Sequence, residues 1–101
     1  MAIRQTTPTE QRFLDEVALI NEATAEMINL SRTLSKNGID SPWLGHYMAE
    51  GATATLDAAK IVVEYMDDDD DQCRESCLER IWPIRHYMQR MRSSMQKMFA
   101  Q

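Results

Sequence analysis

Four side chains in this chain of 101 residues are soft enough to hold a transition metal or serve as thiol chemistry: Cys73, Cys77, His46 and His86. A structural zinc site takes its ligands in pairs at short characteristic spacings, and these four do not follow one. No metal is expected, and the cysteines read as thiols on a helix. A cysteine nucleophile needs a base beside it, and no motif ties Cys77 to either histidine. The run Asp67, Asp68, Asp69, Asp70 and Asp71 has the charge to attract calcium. An EF-hand loop, however, alternates ligands with spacers, turns on a glycine and ends on a glutamate, which MDDDDDQC does not. The run therefore reads as a solvated junction. With no glycine-rich phosphate loop and no motif that brings two carboxylates together, no catalytic residue or cofactor is assigned, and the chain is expected not to be an enzyme.

The elements that carry these residues are helical. Thr7, Pro8 and Glu10 form a start signal, with a threonine cap, proline at the first helical position and glutamate three residues after the cap. A first helix is expected over about 8–36, with Phe13, Val17, Ile20, Met27 and Leu34 recurring at spacings built from threes and fours. Asn37 and Gly38 stop it, and Ser41 with Pro42 starts a second helix over about 42–66. The short connection implies an antiparallel helical hairpin. In the second helix Leu44, Tyr47, Met48, Ala52, Leu56, Ala59, Val63 and Met66 are available for burial. Gly51, Ala52, Ala54, Ala58 and Ala59 keep its middle thin enough for close helix approach. The aspartates end this helix, since negative charge disfavours a C-terminus and favours the next N-terminus. A third helix over about 70–99 carries Cys77, Ile81, Ile84, Met88, Met91, Met95 and Met98 as a heptad seam. Pro83 is expected to kink or break it. The fold class is thus all-α, one domain over 1–101.

Composition agrees: 44% hydrophobic and 27% charged residues are ordinary for a globular domain, and three glycines with three prolines are too few for a sheet protein. The N-terminal sequence MAIRQTTPTEQRF lacks the apolar core of a secretion signal. No apolar stretch approaches the ~20 residues that cross a bilayer, so a cytoplasmic location is expected. The net charge of −5 argues against wholesale nucleic-acid binding. Its distribution is uneven: residues 57–79 hold nine acids against Lys60 and Arg74, while residues 80–101 hold Arg80, Arg85, Arg90, Arg92 and Lys97 and no acid. These two segments can attract each other or separate partners.

Methionine is flexible and polarizable, suited to surfaces that accept a partner helix. Three helices also offer more apolar stripe than a three-helix core buries. A partner-binding or homodimer face is therefore expected at Ile81, Ile84, Tyr87, Met88, Met91, Met95 and Met98, with Asp67–Asp71 as an acidic docking strip for a basic surface. In size, helical content and charge polarity, and in the series Ile84, Met88, Met91, Met95 and Met98, the chain resembles the small bacterial quorum-sensing anti-activators that bind LuxR-type transcription factors. That resemblance implies a dimeric, non-catalytic protein that blocks its partner's dimerisation or DNA-binding surface. The alternatives are a secretion-type chaperone or adaptor, nucleic-acid binding by the basic C-terminal helix, and attachment of that helix to an anionic membrane surface.

Overall fold

The structure, a computed structural model, describes residues 7–99 and consists of three helices: α1 (Pro8–Lys36), α2 (Pro42–Asp67) and α3 (Asp71–Phe99). Each start and stop has a local cause. At α1 the Thr7 hydroxyl accepts from the Glu10 amide at 3.1 Å while the Glu10 carboxylate accepts from the Thr7 amide at 3.4 Å, a closed capping box. At its other end Gly38 adopts φ +72°, its amide reaches the Ser35 carbonyl, and the Ile39 amide reaches the Leu34 carbonyl. This paired bonding satisfies the last carbonyls and turns the chain in five residues. The Ser41 side chain then caps α2 by accepting from the Trp43 amide.

Within the aspartate run, Asp68 terminates α2 in an extended conformation, and its carboxylate accepts from the Asp70 amide at 2.9 Å. Asp71 opens α3, where a carboxylate favours the exposed amides of a helix N-terminus. The helix runs unbroken through Pro83, so it is one segment, not two.

Contacts between helices fix the topology as up-down-up. Phe13 of α1 stacks on Tyr65 of α2 with ring centroids 4.0 Å apart, which sets those two helices antiparallel. Glu16 and Glu26 of α1 meet Arg85 and Arg92 of α3 in matching order, so these two run parallel. The expected hairpin is present, but α3 is the shared partner: it packs along both other helices, while α1 and α2 touch each other sparsely. The result is an elongated slab of 52 × 26 × 18 Å.

The core is a ridge of α3 held between two stripes. From α3 come Cys77, Leu78, Ile81, Met88, Met91 and Met95; from α1 come Phe13, Ile20, Ala23 and Met27, with Leu34 also buried; from α2 come Gly51, Ala54, Ala58, Ile61 and Tyr65. Small residues on α2 admit the long methionines of α3. This corrects the expectation for α2. Ala52, Leu56, Ala59, Val63 and Met66, offered for burial by the sequence, all face solvent, and the neighbouring series beginning at Gly51 is inside instead. The thinner stripe wins because it lets α3 come closer and bury more of its own bulk.

Candidate docking surface

The seven residues assigned to a docking face on α3 divide in the structure. Ile81, Met88 and Met95 have no accessible surface and Met91 is 7% exposed, so these four hold the monomer together and are not presented to a partner. Ile84 is half-buried against the core. Tyr87 and Met98 are exposed, at 42% and 47%, and remain available. The correction has a simple cause: α3 lies between two helices, so its seam is covered from both sides. Asp67 to Asp71 are all exposed.

The basic segment is also occupied. Arg85 donates to Glu16 from Nε at 2.5 Å and from Nη2 at 3.3 Å, a two-pronged pair with both side chains mostly covered. Arg92 pairs with Glu26 at 3.1 Å, and Arg80 pairs with Glu64. The Arg80 guanidinium holds the Glu64 carboxyl below its usual range, and Glu64 in turn raises Arg80. Three of the five cations of residues 80–101 are thus paired within the molecule, two with glutamates of α1 and one with Glu64 of the acidic segment, leaving fewer cations for phosphates than the sequence suggests. Ala100 and Gln101, the end of the basic segment, lie outside the described residues.

Around the exposed aromatics of α3, the Tyr87 hydroxyl donates to the Glu50 carboxylate at 2.8 Å, which favours the neutral phenol and pushes its pKa up. Trp82 stacks on His86 with centroids 5.5 Å apart, and Arg85 lies over the other ring system of that pair, 5.6 Å from the Trp82 centroid. His86 and His46 both engage aromatic neighbours. Burial and the nearby Asp68 push the Cys73 thiol up, and Cys77 is fully enclosed. Among the described residues no three His, Cys, Asp or Glu side chains gather where a metal ion fits.

What the sequence did not reveal is a groove on the face where α1 and α2 barely meet. Its walls are Thr24, Met27 and Ile28 from α1 and Met48, Gly51, Ala52 and Thr55 from α2, and Met88 of α3 forms the floor. The lining is almost wholly apolar around a cavity of about 90 Å³. A single polar link crosses it, the Thr24 and Thr55 hydroxyls at 3.3 Å. Gly51 sets its width: a Cβ at that position would stand 3.3 Å from the Met27 methyl. Beyond the groove, Leu56, Val63 and Met66 of α2 are 59%, 56% and 75% exposed. The sequence does carry a second apolar series on α2, offset from the buried one by one or two residues, where a single core-facing stripe suffices.

No helix among the described residues is long and apolar enough to cross a membrane. Comparison of the chain with protein-family models, with curated proteins and with solved structures finds no match in any of the three.

Proposed function

We propose that the chain is a non-catalytic, cytoplasmic regulator that binds a partner protein in the α1–α2 groove and sequesters it. The partner class is the one implied by the anti-activator resemblance, a LuxR-type transcriptional activator whose DNA binding is thereby inhibited. The observation that carries this is the open apolar groove walled by Met27 and Met48 and floored by Met88. Half-buried Met48 and Ile28 line its mouth, the buried Met27 and Met88 lie beneath, and methionine can shift its shape to admit an inserted apolar side chain. The exposed strip Asp67–Asp71 supplies the charge that steers a basic DNA-binding face towards the groove.

The test uses a purified LuxR-type activator from the source cell, its promoter fragment and the full chain in a mobility-shift titration. Wild-type chain should release the DNA. Ile28→Lys, which places a charge in the groove wall without touching the fully buried core, should weaken release at least about tenfold, the equivalent of roughly 1.4 kcal/mol. Activator that stays on DNA at saturating chain, or an Ile28→Lys chain that inhibits as well as wild type while remaining helical, would sink the proposal.

A further inference from the structure

Helix α2 is apolar on two opposite sides. Residues 51, 54, 58, 61 and 65 are buried against the rest of the fold. At about 100° per residue, the series Gly45, Ala49, Ala52, Leu56, Ala59, Val63 and Met66 falls on the far side of the helix. All seven of its members are exposed. Their spacing alternates four and three, the repeat by which one helix locks into another over about 30 Å. We infer that this outer seam of α2 is covered by the same seam of a second copy, with the two α2 helices running antiparallel about a two-fold axis.

Shape selects both the occupant and the direction. Bulk is unevenly placed: Ala49, Ala52 and Ala59 are small, while Leu56, Val63 and Met66 are large. In the antiparallel register that sets Ala49 against Met66 of the partner subunit, Ala52 falls against Val63 of the partner subunit and Leu56 against Ala59 of the partner subunit. Every layer then joins one small and one large residue, and symmetry repeats each layer. A parallel pairing stacks alanine on alanine at one end and methionine on methionine at the other, which forces the helices apart and leaves gaps between the alanines.

Charge agrees with the same register. One flank of the seam is polar, with Thr53, Asp57, Lys60 and Glu64, and the other carries Met48, Thr55 and Val62. A two-fold antiparallel pair sets like flank against like flank, so Lys60 lies opposite Asp57 of the partner subunit, twice. Glu64 is already paired with Arg80, whereas neither Asp57 nor Lys60 forms an ion pair with another of the described residues of its own copy. A face about 30 Å long and one helix wide lies at the lower end of specific interfaces, about 600 Å² per partner, so the association is reversible. This inference does not rest on the proposed function: the groove shares Met48, Ala52 and Thr55 with the seam and its flank, but Ile28, on its α1 wall, belongs to neither.

The test is sedimentation or light scattering of the full chain across a concentration series. The expected mass rises towards twice the 11.7 kDa of one copy. Leu56→Lys with Val63→Lys, two exposed sites, should leave helicity intact and weaken association at least about a hundredfold, because ammonium groups would enter an apolar interface. For the register, a mixture of Ala52→Cys and Val63→Cys chains should cross-link one to the other on mild oxidation, with neither linking to itself beyond wild type. A wild-type chain that stays monomeric throughout overturns the inference, as does a dimer that persists undiminished in the lysine variant. A dimer lacking the mixed cross-link overturns the antiparallel register. Ile28→Lys should leave the mass unchanged, which separates this result from failure of the activator proposal.

Discussion

At the scale of single residues, position matters more than type. Gly51 shows this: it lies inside a helix, where glycine is normally unfavourable, and it faces the Met27 methyl in the groove wall. Gly51→Ala adds a methyl 3.3 Å from the mobile end of a methionine that borders an open cavity, so Met27 can yield. The gain in helix propensity should then prevail, and thermal denaturation should show stabilisation by about 0.5–1 kcal/mol. A fall in melting temperature would mean that Met27 is held rigidly and that the groove does not adapt. The methionines of α3 follow the same rule. Met91 and Met98 share one heptad series, yet Met91 is buried and Met98 is 47% exposed, because Met98 lies at the end of the helix where cover runs out.

At the scale of elements, the capping signals at Thr7, Gly38 and Ser41 all operate as the sequence indicates, because each depends on residues within a few positions of one another. Pro83 is the exception to local logic, since a proline in mid-helix lacks the amide that the preceding turn expects. Its ring is exposed and contributes little packing. Pro83→Ala should restore a hydrogen bond to α3 at small loss of contact and raise stability by about 1–3 kcal/mol in chemical denaturation. A loss of stability would show that the proline shapes α3 to fit α1 and α2. The aspartate run is equally local: Asp68 ends α2 and Asp71 opens α3.

At the scale of the whole molecule, one shared helix holds the fold together, so damage to its ridge should not remain local. Met91→Lys with Met95→Lys introduces two charges where the side chains are 7% and 0% exposed. Burying an unpaired charge costs several kcal/mol, and a small domain has only about 5–10 to lose. Circular dichroism should report a large fall in helicity at room temperature. Retained helicity with the same pair of substitutions would return these residues to a surface role and overturn the core assignment. The long-range pairs Arg85–Glu16 and Arg92–Glu26 add alignment of α1 with α3, and the more exposed Arg92–Glu26 contributes little energy.

The three helices, their ends and their apolar periodicity are legible in the residues alone, because they arise from hydrogen bonds and side-chain spacing inside short segments. So is the charge asymmetry between residues 57–79 and 80–101. Which of two apolar stripes on α2 turns inward is set by packing between the helices. Gly51, Ala54 and Ala58 are less hydrophobic than Leu56, Val63 and Met66, and periodicity alone favours the larger set. The choice depends on how closely α3 can approach, which is a property of two surfaces together. The groove at Met27, Met48 and Met88 escaped the sequence for the same reason: it exists because α1 and α2 each pack on α3 in preference to one another.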